Sequence, residues 1–263
     1  MNLESANQVA HEREVTLVIC SERPADLEDE IAGLSTIRGY SLSPESSEKI
    51  LDTYLDTAGR ALTARHWALR IRKALSGRLI ALKGPSRPTE WGGLERVEVE
   101  ALWSRDALNQ VLREVDNLKA SSEARAETFD RDDPLETMKS LGFEIIQKRS
   151  LQRRGKAVTE QIGGPEIAEL AIDDVTYQFP SADIIHSEVE IEAKSGSSPL
   201  AVQELADELI QLYGPELQRW RHSKLATGRA VEELLSSGKL NGLMKGNRLL
   251  PRAYPVIDEL LGS

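Results

Sequence analysis

The chain has 263 residues, 40% of them hydrophobic and 29% charged, which is the balance of a globular protein rather than a disordered one and leaves room for one large domain with or without an appendage. Asp plus Glu number 43 against 33 Lys plus Arg, a formal charge of −10, so a general nucleic-acid coat, which needs a basic face, is not expected, although a local basic pocket is compatible. The single cysteine, Cys20, excludes an intramolecular disulfide and a cysteine-based zinc site. No run approaches the ~18–20 apolar residues of a membrane span, and the opening MNLESANQVAHERE lacks the apolar centre of a secretory signal, so the expectation is a cytoplasmic protein with no membrane partner.

Alternation and β-branched content predict a strand at 12–20, a helix at 24–33 and a short strand near Ile37–Ser43. Further strands are expected at 48–56, 67–73, 78–84 and 95–102, with Gly77 and Gly84-Pro85 marking turns. A helix follows at 104–115, opened by Ser104 with Asp106 in its first turn, and another at 133–140. Strands at 143–153, 167–175 and 184–194 precede a helix at 200–212 headed by Pro199, and the segment 226–263 reads as helical and separate in style. Strands that dominate and pair with sequence neighbours indicate an α+β fold, an antiparallel sheet closed into a barrel or folded over, with helices outside.

The polar faces of these strands repeat a specific chemistry. Side chains alternate across a strand, so HSEVEIEAK turns Glu188, Glu190 and Glu192 to one face and Val189 and Ile191 to the other. WALRIRK does the same with Arg70 and Arg72, and ERVEVEAL with Arg96, Glu98 and Glu100. Glu12, Glu14 and Thr16 share a face, Lys83 closes LIALK, and Arg149 and Arg153 lie at even spacing. For any one strand the plain reading is a solvated outer face. Collectively, paired arginines on some strands and paired glutamates on others would, in a barrel, place cations and carboxylates in a wet interior that needs compensating ions. Arginine grips phosphate oxygens with a planar fork, while carboxylates hold Mg²⁺ or Mn²⁺ whose free positions go to phosphate and water.

In that order the residues resemble the CYTH domain, the triphosphate tunnel metalloenzyme superfamily, across roughly 10–228. The resemblance rests on Glu12-Arg-Glu14, Tyr54-Leu-Asp56-Thr57, Leu69-Arg70-Ile-Arg72, Leu82-Lys83-Gly84, Arg96-Val-Glu98, Gly142-Phe143, Leu170-Ala-Ile-Asp173, Glu188/Glu190/Glu192 and Ser223-Lys224. It implies an eight-stranded antiparallel β-barrel tunnel with helices packed outside and a tunnel domain over 1–228, and the helical pattern of the tail makes 229–263 a C-terminal extension. It also implies hydrolysis of an inorganic or small organic triphosphate with Mg²⁺ or Mn²⁺. By the same resemblance Arg70, Arg72, Lys83, Arg96, Arg149 and Lys224 would hold phosphates, and Glu12, Glu14, Glu98, Glu188 and Glu190 would hold metal. Glu12, Glu14 and Lys83 are the catalytic candidates, with Glu192 and Asp173 in support.

Two positions depart from the pattern. Thr16 stands where the family has lysine, and Gln147 where a basic residue is expected before Arg149; Arg13 or Lys148 could compensate only through a bulge. The missing charge keeps a noncatalytic polyphosphate or nucleotide binder open as a rival. A class IV adenylate cyclase is the enzymatic rival, although the His-Phe pair that precedes the first strand in that group is absent from NQVAHERE. The four histidines show no metal-ligand spacing, and Cys20 reads as a small core residue. Trp220 and Arg221 are expected to anchor the last helix, and the tail to pack on the barrel or mediate self-association as a homodimer.

Overall fold

The computed structural model describes residues 10–118 and 129–262. Along the chain the elements are β1 (Ala10–Ile19), α1 (Pro24–Gly33), β2 (Thr36–Ile37), β3 (Tyr40–Leu42), β4 (Ser46–Thr57), β5 (Ala68–Ala74), β6 (Gly77–Lys83), β7 (Arg87–Pro88), β8 (Leu94–Leu102), α2 (Arg105–Leu118) and α3 (Pro134–Ser140). They continue as β9 (Phe143–Thr159), β10 (Glu166–Gln178), β11 (Asp183–Ala193), α4 (Leu200–Tyr213), β12 (Leu217–Trp220), α5 (Lys224–Ser236), β13 (Met244–Lys245), β14 (Arg248–Leu249) and α6 (Ala253–Gly262).

Strands hydrogen-bond in the order β1-β8-β6-β5-β4-β9-β10-β11, and β11 returns to β1 with Val15 opposite Ile191, so the sheet closes into an eight-stranded antiparallel barrel. Closure leaves the main strands no free edge, and the short strands take up the rims: β12 lies beside β1, and β14 with β13 beside β11. By compactness the chain divides into two units. The first holds Ile50–Arg87 and Arg96–Arg149, the second Glu12–Lys49, Pro88–Glu95 and the described residues from Ser150 onward.

In the first unit, Leu69 and Ile71 of β5, Ile80 and Leu82 of β6 and Val99 of β8 share one face, sealed by Leu108, Val111, Leu112 and Val115 of α2 and Met138 of α3. Ser104 caps α2 as its sequence indicates, its hydroxyl accepting from the Ala107 N–H at 3.2 Å. Gly77, at φ +123°, makes the tight β5–β6 return in a conformation that a Cβ would strain. The opposite faces of these strands carry the charges.

The second unit repeats the logic. Val15, Leu17 and Ile19 of β1, Leu170 and Ile172 of β10, and Val189 and Ile191 of β11 pack under Leu27 and Ile31 of α1 and Val202, Leu205 and Leu209 of α4. A separate cluster joins Ala230, Val231 and Leu234 of α5 and Tyr254 and Ile257 of α6 to Val18, Ile184 and Trp220. The tail therefore packs, as expected, and Trp220 and Arg221 anchor it: the Trp220 Nε1–H donates to Thr227 Oγ1 at 2.9 Å, and Arg221 and His222 meet Asp258 at 3.2 and 2.7 Å.

Some details escaped the sequence. β9 runs through Arg149–Lys156 to Thr159, and β12, β13 and β14 are too short to leave an alternation. The helix α5 begins at Lys224, two residues before the stretch that reads as helical in the sequence.

Candidate functional site

Each unit contains a cluster of opposite charges on the polar faces of its strands. In the first, Asp52 of β4 lies opposite Arg72 of β5, and Tyr54 opposite Arg70, so all four share a face. Asp52, fully enclosed, takes a bidentate grip from Arg72 on both oxygens (2.8 and 3.0 Å), two bonds from Arg149 of β9 onto Oδ2 (3.0 and 3.3 Å) and a longer contact from Arg70 (3.5 Å). Burial alone would raise its carboxyl, but Arg70, Arg149 and Arg72 outweigh that and hold it well below the usual range. Arg149 also donates to the Tyr54 hydroxyl at 2.5 Å, with its guanidinium 4.7 Å from the ring centre.

Arg70 reaches past its β6 neighbour Ala81 to Glu100 of β8 at 2.8 Å, because the register runs Arg70–Ala81–Glu100 and the small alanine leaves that span open. Lys83 pairs with Glu98 at 3.1 Å. Glu100 is lowered: burial raises it, and Arg70, Arg72 and Lys83 more than offset the effect. Four cations therefore meet three carboxylates in this group.

In the second unit β10, β11 and β1 stack their charges in rows. Asp173 lies opposite Glu188, Ala171 opposite Glu190, and Glu169 opposite Glu192; across the next pairing Thr16 faces Glu190 and Glu14 faces Glu192. Carboxylate oxygens of Asp173, Glu188 and Glu190 all lie within 4.8 Å of one another. Like charges directly across a sheet repel. Two cations compensate them. Arg153 of β9 forks onto Asp173 (2.8 and 2.6 Å) and touches Glu190 (2.8 Å). Lys224 sits 3.1 Å from Asp173 and 2.5 Å from Glu190 and makes a closer contact with Glu188. Burial lowers the Lys224 ammonium, and Glu188, Glu190 and Asp173 raise it further than burial lowers it, so it stays charged. Asp173 is raised by burial and lowered past that by Arg153 and Lys224.

The local sequence explains this placement. Ser223 caps α5, accepting from the Ala226 N–H at 3.2 Å, which makes Lys224 the first residue of the helix. A lysine there opposes the helix dipole, so only the facing carboxylates make the position favourable. The Tyr177 hydroxyl donates to the Lys224 carbonyl at 2.8 Å and fixes the helix start.

The structure thus joins Arg70, Arg72, Lys83, Glu98 and Arg149 in one cluster and Glu188, Glu190 and Lys224 in the other. Glu12 and Glu14 are buried on β1, and Arg96 is half-buried on β8. Asp173, expected in support, converges with Glu188 and Glu190 because it sits directly opposite Glu188, whereas Glu192 lies two rows from that pair. Lys224, expected on phosphate, contacts carboxylates. Arg13 turns outward to Glu95 at 3.1 Å and Lys148 is exposed, so neither replaces the charge missing at Thr16 or Gln147. Sequence reasoning passed over Asp52, noted Arg153 on the charged face without giving it a role in the site, and set aside His186 with the other histidines. The last had a signal: His186 is two residues before Glu188 and so shares its face, and its Nε2 lies 3.0 Å from Glu188 Oε2.

The donor set suits a hard divalent cation, which takes several oxygen ligands and favours clustered carboxylates. Three carboxylates against Arg153 and Lys224 leave an excess of negative charge that a divalent cation would offset. Residues 23–223 match the CYTH domain family. The chain is a CYTH protein. The matched span begins after β1 and ends one residue before Lys224, so Glu12, Glu14, Thr16 and Lys224 flank it. Among solved structures, this CYTH chain is similar to a Hippeastrum adenylyl cyclase candidate described as having a dominant triphosphatase activity, at 18% identity and a TM-score of 0.57, covering 84% of this chain and 96% of that one. It is also similar to a protein of Pyrococcus horikoshii OT3, at 19% identity and a TM-score of 0.51, covering 84% and 99%. At these identities the likeness speaks for the fold. No curated protein is detectably similar in sequence. Among the described residues no helix is long and apolar enough to cross a membrane.

Proposed function

We propose that this CYTH protein hydrolyses an inorganic or small organic triphosphate with Mg²⁺ or Mn²⁺. The observation that carries the reading is the convergence of Asp173, Glu188 and Glu190 beside Lys224 and Arg153, a buried group that is stable only with cations. In this reading Asp173, Glu188 and Glu190 hold the metal, with Glu12 and Glu14 from the same sheet as further ligands. Arg70, Arg72, Lys83, Arg96, Arg149 and Lys224 bind phosphate oxygens. The bound ion would neutralise charge on the transferred phosphoryl group and lower the pKa of an attacking water. The Hippeastrum protein's triphosphatase activity agrees with this assignment.

Mixing the purified chain with Mg²⁺ or Mn²⁺ and either tripolyphosphate, thiamine triphosphate or nucleoside triphosphates tests the reading. Release of phosphate from at least one supports it; no release from any ends it, and cyclic AMP from ATP would replace it with cyclase activity. A second reading, a binder without turnover, is favoured by Thr16, which faces Glu190 where a lysine is expected. Calorimetry separates the two, since tight tripolyphosphate binding with no phosphate released over hours supports the binder.

A further inference from the structure

Within the second unit, His186 is fully buried and neither ring nitrogen has a hydrogen-bond partner. Leaving a buried polar group unpaired costs about 1–3 kcal/mol, so an imidazole enclosed this way calls for an explanation. The ring is stacked against Tyr177, with centroids 5.8 Å apart and planes 12° from parallel, and Tyr254 of α6 borders it at 6.2 Å. Those two tyrosines point its Nε2 at Glu188 Oε2, 3.0 Å away but off a hydrogen-bonding line. Glu188 is itself fully enclosed, and neither of its oxygens has a well-directed donor; the ammonium of Lys224 presses on the other one.

We propose that His186 is a positioning residue for Glu188, holding the carboxylate in the orientation that binds a divalent cation. The inference rests on the metal-dependent reading above. Glu188 has two oxygens and two roles. With one oxygen given to the ion, the other is left to accept from the Nε2–H of a neutral imidazole, which pairs both buried groups at once. A carboxylate fixed in this way loses less freedom on coordination, and outer partners of metal ligands typically contribute 10–100-fold to affinity. Tyr254, which walls the ring, lies thirty-one residues beyond the matched CYTH span, so the C-terminal helices would take part in shaping the metal site.

The test is calorimetric titration of the full-length protein with MnCl₂, without substrate. His186→Leu, close in volume and lacking the donor, should bind Mn²⁺ 10–100-fold more weakly. His186→Gln, whose amide can reach the Nε2 position, should recover to within about threefold of wild type, a recovery that a purely structural role would not give. Without metal the leucine variant should melt at or above the wild-type temperature, because an unpaired polar group has been removed. Mn²⁺ affinity unchanged in His186→Leu overturns the proposal, as does a glutamine variant no better than leucine or a wild-type protein that takes up no Mn²⁺. The triphosphatase reading fails separately, by binding Mn²⁺ normally while releasing no phosphate.

Discussion

Asp52 is a single carboxylate in contact with three guanidinium groups, and removing its charge takes the carboxylate partner from Arg72 and Arg149 and leaves Arg70 with Glu100. Breaking one side of such a group costs about 3–5 kcal/mol, so Asp52→Asn should lower the urea midpoint by a corresponding amount. The same residue sets a pH dependence. Its folded pKa lies below the unfolded value of about 3.9, so its stabilisation is complete above pH ~4 and is lost as pH falls toward the lower folded value. Urea midpoints measured from pH 6 to pH 2 should fall more steeply below pH ~4 in wild type than in Asp52→Asn. Glu190→Gln, in the other cluster, should abolish Mn²⁺-dependent phosphate release while far-UV circular dichroism stays unchanged; retained activity would remove it from the site. Thr16→Lys should raise the rate on tripolyphosphate by about tenfold if only that missing charge limits turnover. Glu188, Glu190, Arg70 and Arg72 were legible as charges at i, i+2 on apolar strands. Asp52 was not, because EKILDTYLDT reads as an ordinary mixed strand until three arginines from β5 and β9 arrive beside it.

At the scale of elements, the strands succeed by serving two environments at once. Leu69, Ile71, Ile80, Leu82 and Val99 seat α2 and α3, while the alternate positions hold charges. The small residues between charges matter as much as the charges. Ala81, fully buried, separates Arg70 from Glu100, and Ala81→Leu should force them apart and strain the face. Overpacking of this kind costs about 1–3 kcal/mol, readable as a lower urea midpoint, whereas a midpoint equal to wild type would show that the face has spare room. Most elements were readable from alternation, capping serine and turn glycine. The exceptions were β7, β12, β13 and β14, whose two to four residues are too few to establish a period.

For the whole molecule, the residues beyond the CYTH match contribute to one hydrophobic cluster with the barrel strands β1 and β11 through Val18 and Ile184. Deleting residues from Ala253 onward removes Tyr254 and Ile257 from that cluster. Burying a large apolar side chain contributes about 1.5–3 kcal/mol, so the truncated chain should lose roughly 3–6 kcal/mol, seen as a lower thermal midpoint. An unchanged midpoint would show that α6 is a passenger.

The sequence by itself determined the antiparallel strand set, the apolar faces that accept helices and the sign of the charge on each opposite face, because side-chain alternation and local capping act over a few residues. Only the tertiary structure decided which charges meet. It joined Asp52 to Arg149 across 97 positions and brought Lys224 to Glu188. Partner choice across a sheet depends on register and strand order, and these follow from closing the barrel as a whole rather than from any one segment.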